Sequence, residues 1–177
     1  MIETSVYDPA HKGDVPQVEA WLKEHQEELN HPISDGFTLL HVACMFGQRN
    51  LVTFLVGRHA LVNQNAANDS KATPLHLAAA FREEVTAAAI CERLIENGAE
   101  LNAKDADGQT ALHHAVARGS LLLVATMIEA GADPYLKDAQ DRSPMDLAKE
   151  LPAELATTND QIREALKRSS HLIGNRH

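Results

Sequence analysis

Three octapeptides in this chain are near copies of one another. Phe37-Thr38-Leu39-Leu40-His41-Val42-Ala43-Cys44 is followed by Ala72-Thr73-Pro74-Leu75-His76-Leu77-Ala78-Ala79, and then by Gln109-Thr110-Ala111-Leu112-His113-His114-Ala115-Val116. A shorter copy, Arg142-Ser143-Pro144-Met145-Asp146-Leu147-Ala148, comes after them. The leading hydroxyl residues Thr38, Thr73, Thr110 and Ser143 stand 35, 37 and 33 residues apart. Self-similarity at that period limits the chain more than any other feature. Each copy is one small supersecondary unit that buries its apolar face only by stacking on the next.

The run Thr-Pro-Leu-His-x-Ala at this period resembles the ankyrin-repeat family. The resemblance covers roughly residues 5 to 168 and is most specific from Asp35 to Ala148. It implies an all-α fold: an ankyrin-repeat solenoid of about five helix-turn-helix units with projecting hairpin loops and degenerate caps at both ends. The expected divisions are an N-terminal capping repeat over 1–34, repeats over 35–67, 68–104 (with an insertion) and 105–137, and a C-terminal capping repeat with a tail over 138–177.

Local chemistry agrees with this division. Val15, Val18, Trp21 and Leu22 recur at helical spacing after the Gly13-Asp14 break and predict a helix with Trp21 in the core. Thr38 is placed to cap the helix that follows it. Gly47 predicts that helix's end. His59 occupies the place of Gly98 and Gly131, where a left-handed backbone is wanted, and predicts mild strain. Between Ala78 and Gly98 lie four more steps than between Ala115 and Gly131, about one helical turn, which predicts a longer helix or an enlarged inter-helix loop. The connection from His59 to Thr73 is also two residues longer than that from Gly98 to Thr110. Pro152 predicts the end of the fifth unit's first helix. Asn159 or Asp160 is placed to cap a final helix carrying Ile162, Ala165 and Leu166.

Aromatic residues are only 4% of the chain, so small and aliphatic side chains must fill the core. A formal charge of −9 argues against a nucleic-acid partner and an anionic membrane surface. Cys44 and Cys91 read as buried small hydrophobes, not as a disulfide framework. That suits the cytoplasm, although an exported mature chain is equally compatible.

Ten histidines invite a metal or catalytic reading. His41, His76 and His113, however, each stand three residues after the repeat's hydroxyl, so the repeat itself explains them. No phosphate loop, zinc-protease pair or nucleophile elbow is present. The expectation is therefore a non-enzyme with no cofactor and no metal site. Its role is to bind another protein, and it is monomeric when alone. One specific form is an inhibitor or immunity-type protein that blocks a partner enzyme. A histidine-dependent metal protein or enzyme, and a self-associating scaffold, are the alternatives.

The resemblance assigns partner contact to hairpin tips and exposed ends of the first helices. Carried over, those slots give Asp35, Phe37, Met45, Phe46, Asp69, Phe81, Asp107, Gln109, Arg118 and Arg142 as candidate partner-binding residues. Three of the four phenylalanines fall there, which predicts an apolar patch with a polar rim.

Overall fold

The computed structural model describes residues 6–151 and 156–173, with side chains to Arg168 outside 156–157. Among the described residues ten α-helices pack as five consecutive pairs: α1 (Tyr7–Lys12) with α2 (Val15–Glu24), α3 (Leu39–Met45) with α4 (Arg49–Gly57), α5 (Pro74–Ala80) with α6 (Glu84–Glu96), α7 (Ala111–Ala117) with α8 (Leu121–Ala130), and α9 (Pro144–Glu150) with α10 (Ala156–Ile173). A 3₁₀ turn, Gln26–Asn30, follows α2. The odd-numbered helices pack on one another as an inner layer. The even-numbered helices do the same as an outer layer. Among the described residues the only β feature is one antiparallel bridge, Ser34 to Phe37. This is the expected all-α solenoid.

The core lies between the two layers and is aliphatic. Leu39, Leu40, Leu51, Leu55, Leu75, Ile90, Leu94, Leu112, Leu123, Met127, Ile162 and Leu166 are its large, fully buried members. Cys44 and Cys91 are free and fully buried among them. Burial pushes the Cys44 thiol up and the Cys91 thiol to about 12, so neither is a ready nucleophile. Trp21 departs from expectation. It is half-buried at the margin of the core and stacks on His25, ring centroids 4.4 Å apart, while Val18 and Leu22 take the buried face of α2.

Two edges run along the stack. On one, hairpins precede the inner helices. On the other, here termed the turn edge, each inner helix turns into its outer partner. The two insertions fall at separate places. The inner helices α5 and α7 are both seven residues long, but α6 has 13 residues where α4 has 9 and α8 has 10. The four-residue insertion is thus an extra turn at the far end of α6. The two-residue insertion lies in a hairpin. Ala66 N–H bonds to Ala72 carbonyl, spanning six positions, whereas Ile33–Phe37, Asp105–Gln109 and Asp138–Arg142 span four.

The fifth unit corrects one expectation. Asn159 does not cap α10; it lies inside the helix, buried, and donates to the Leu151 carbonyl at 3.3 Å. Ile162 and Leu166 are fully buried, as their spacing requires. Pro152 lies outside the described residues.

His59 adopts φ 65°, matching Gly98 at 84° and Gly131 at 103°. An L-residue in this region carries about 1 kcal/mol of strain that glycine does not. His59→Gly is therefore expected to raise unfolding free energy by about 0.5–1 kcal/mol. Gly98→Ala, where a Cβ would meet no neighbour, is expected to lower it by about 1 kcal/mol. Urea midpoints of the two variants check this. Equal shifts of the same sign would refute it.

Candidate protein-binding surface

The surface is positioned by three sets of hydrogen bonds that run from unit to unit. In the first, each repeat histidine joins two units. Thr38 N–H donates to His41 Nδ1 at 3.3 Å, and the Thr38 hydroxyl lies 2.8 Å from the same nitrogen. Because a backbone N–H only donates, Nδ1 is the acceptor and Nε2 carries the ring hydrogen. That hydrogen goes to the Ala72 carbonyl of the next unit at 3.1 Å. His76 repeats this with Thr73 N–H at 3.1 Å and the Gln109 carbonyl at 3.0 Å. His113 does so with Thr110 N–H at 3.0 Å and the Arg142 carbonyl at 3.1 Å. In the fourth copy Asp146 replaces histidine. It takes Ser143 N–H at 3.1 Å and turns to Lys137 and Lys149, both at 2.9 Å. No further hairpin follows among the described residues for a histidine to reach.

The second set links the hairpins. Ala67, Ala106 and Ala139 N–H groups donate to the carbonyls of Gly36, Ser70 and Asp107 at 2.8–2.9 Å. A third set runs along the loops after the outer helices. Asn30, Asn63 and Asn102 side-chain oxygens accept from Leu61, Glu100 and Asp133 N–H groups at 2.8–2.9 Å. Asn30 lies in the irregular first unit, where no copy of the repeat motif marks it.

These bonds also occupy the three repeat histidines. Both ring nitrogens of His41, His76 and His113 are committed within the stack. Among the described residues no group of three or more His, Cys, Asp or Glu side chains could hold a metal ion. Burial is the main reason the three rings titrate below their ordinary value near 6.5, His41 at about 4.

The candidate contact residues divide between the two edges. Asp35, Asp69 and Asp107 are exposed at successive hairpins, and Asp141 continues the row. Asp35 and Asp141 hold left-handed backbones, φ 45° and 61°. Phe37 is half-buried in the first of these hairpins, 5.9 Å from His41 between ring centroids. Gln109 is half-buried, its carbonyl used by His76. Arg142 is partly buried against Asp138 at 3.3 Å.

Met45, Phe46, Phe81 and Arg118 lie on the turn edge. The expected single patch of three exposed rings is therefore two separate sites. The seven residues of α3, about 10 Å of helix, separate Phe37 from Phe46. Nor is either turn-edge ring fully open. His11 meets Phe46 edge-on at 4.1 Å, and Phe81 packs on Gly47, where a Cβ would overlap its ring. Arg118 holds the third unit's irregular turn by donating to the Ala80 and Arg82 carbonyls at 2.9 and 2.8 Å. Slot assignment missed the exposed apolar residues Val85 and Leu122 on this edge, 63% and 42% exposed, and Leu61 and Tyr135 away from it.

A family model described as ankyrin repeats, in three copies, matches residues 8–105 and 61–138. The chain belongs to the ankyrin-repeat family. Such an array is a protein–protein interaction module. The chain is 31% identical over 126 residues to nuclear factor NF-kappa-B p105 subunit of Mus musculus, covering 71% of this chain and 13% of that protein. It is 31% identical over 115 residues to the B-cell lymphoma 3 protein homolog of the same species, covering 65% and 25%. It is 31% identical over 134 residues to a probable 26S proteasome regulatory subunit, p28, of Saccharomyces cerevisiae, covering 73% and 57%. The chain thus spans about a quarter or less of the first two relatives and just over half of the third. No helix among its described residues is long and apolar enough to cross a membrane.

The ankyrin histidines predict an acid-labile stack. A folded-state value below the unfolded one means that the unfolded chain takes up protons first. Their stabilisation is whole above about pH 6.5 and is lost as pH falls. For His41 the fall from 6.5 to about 4 corresponds to about 3 kcal/mol. Urea midpoints measured from pH 7.5 to 4 are expected to drop through this window. A flat profile from 6.5 to 5 would show that the rings are not neutral bridges. His41→Ala, which strands Thr38 N–H and the Ala72 carbonyl, is expected to cost about 2–4 kcal/mol at pH 7.5.

Proposed function

We propose that this protein performs no chemistry of its own and holds a partner protein along its hairpin edge and inner face. The observation that carries the reading is the row of exposed carboxylates Asp35, Asp69, Asp107 and Asp141 on four hairpins. The three steps between these four hairpins are each bridged by a backbone hydrogen bond. A row fixed in this way needs little ordering on binding, which favours affinity. Its sign favours a partner with a basic contact surface. Phe37 and Gln109 offer apolar and amide surface beside it, and Arg142 adds a partly exposed guanidinium.

Commitment of the repeat histidines to the stack supports a non-catalytic role. Free, buried Cys44 and Cys91 suit a reducing compartment such as the cytoplasm. The specific form we favour is an inhibitor or immunity-type protein, acting as a monomer, whose rigid hairpin row covers the working face of a partner enzyme.

Affinity capture with the wild type beside the Asp35→Lys/Asp69→Lys/Asp107→Lys variant tests this. The partner is expected to bind the wild type and to lose at least about tenfold in affinity to the variant, with a weaker loss for Phe37→Ala. A partner held equally by both proteins would sink the reading. If the partner is an enzyme, its turnover is expected to stop at one equivalent of the protein. Full turnover in the saturated complex would remove the inhibitor role and leave the binding.

A further inference from the structure

The arginines of this acidic chain are unevenly satisfied. Of the eight that are described, Arg58, Arg93, Arg142, Arg163 and Arg168 each lie within 4.0 Å of a carboxylate. Among the described residues Arg49, Arg82 and Arg118 have no carboxylate within that distance, and all three stand on the turn edge, in successive units. Chance placement would scatter unpaired cations around a molecule of charge −9. The three arginines are gathered on one side, opposite the hairpins, where Lys71 is an exposed cation among the acids.

Glu83 and Glu84 of that edge are exposed, but both carboxylates are engaged by donors of the protein itself. Glu83 caps α6, accepting from Val85 N–H at 3.0 Å and Thr86 N–H at 2.8 Å, with Arg49 close enough to be felt electrostatically. Glu84 reaches across to the next unit, taking the Ser120 hydroxyl at 2.5 Å and Leu122 N–H at 3.2 Å. Their oxygens are occupied by backbone and hydroxyl donors, while the guanidinium groups of Arg49 and Arg82 face solvent.

Between the cations lies apolar surface. Phe46 and Phe81 are partly buried, and Val85 and Leu122 are the more exposed pair, at 63% and 42%. The edge is continuous: Gln48 donates to the His11 carbonyl at 2.7 Å, Phe81 covers Gly47, Arg118 grips Ala80 and Arg82, and Glu84 grips Ser120. Contacts from unit to unit therefore hold four units' worth of this surface in place.

We propose that the turn edge is a second docking surface, for an extended acidic segment of a partner protein that carries apolar side chains. Its carboxylates pair with Arg49 and Arg82 and face the charge of Arg118. Its apolar side chains cover Phe46, Phe81, Val85 and Leu122. A nucleic acid fits less well, because two to four apolar side chains would face its phosphates and the net charge of −9 would repel it. This surface is separate from the hairpin row, and either can fail without the other.

The probe is a capped twelve-residue peptide of Asp, Glu, Leu and Phe, titrated into the ¹⁵N-labelled full chain. Three controls accompany it: the same peptide with Lys for the acids, one with Ser for the apolar residues, and a twelve-base oligothymidylate. Saturable shifts are expected at the amides of Gly47, Phe81, Arg82, Val85 and Leu122. Arg49→Glu/Arg82→Glu is expected to weaken binding at least about tenfold, and to flatten its salt dependence. Val85→Ser/Leu122→Ser, at exposed positions, is expected to weaken it about threefold or more. Asp35→Lys/Asp69→Lys/Asp107→Lys should leave it within about twofold, because the hairpins are more than a screening length away. The proposal is overturned if charge reversal at Arg49 and Arg82 leaves affinity unchanged in a folded variant. It is equally overturned if the lysine peptide or the oligonucleotide binds there better, or if no saturable shift appears by about 2 mM peptide.

Discussion

The structure depends on one bond made three times. A neutral imidazole accepts from its own helix cap through Nδ1 and donates to the next unit's hairpin through Nε2. Each unit is too small to bury its own apolar faces, so its stability is that of its interfaces. The histidine satisfies an orphan N–H at a helix start and a hairpin carbonyl together, in a site that water does not reach. Burial of these rings is tolerable because they are uncharged. The same neutrality is what ties the stack to pH.

Once the units are locked in this way, small departures from the repeat have local consequences only. The extra turn of α6 leaves the lengths of α5 and α7 untouched. Two extra residues in the second hairpin lengthen its tip without breaking the hairpin ladder, because Ser70 still accepts from Ala106 N–H. Where Arg82 replaces the glycine that α3 and α7 have after their ends, Arg118 of the following unit supplies the donors for the exposed carbonyls. A solenoid absorbs such changes because each unit touches only its neighbours.

Charge divides the molecule in a way that its net value hides. The hairpins present acids, and the turn edge presents cations with apolar side chains between them. Arg118 belongs to both structure and surface: its donors close a helix end, yet its charge remains on the edge. Phe46 and Phe81 are likewise half core and half surface, which is why reading them as simply exposed, or simply buried, fails.

Much of the fold could be read from residues alone, because the signals are local. Thr38 before its helix, the left-handed site at His59 and the extra turn after Ala78 each depend on neighbours within a few positions, and the repeat restates them. Asn30 escaped because its unit has drifted from the pattern. Trp21 escaped because helical spacing gives a face but not what covers it. The sequence by itself determined the period, the cap at Thr38, the structural place of the repeat histidines and the hairpin positions of Asp35, Asp69 and Asp107. Only the tertiary structure decided that the three rings form two sites and that the unpaired arginines share an edge. Phe46 and Phe81, like Arg49, Arg82 and Arg118, are about 30 or more positions apart along the chain, and no local propensity brings them to one edge until stacking joins successive units.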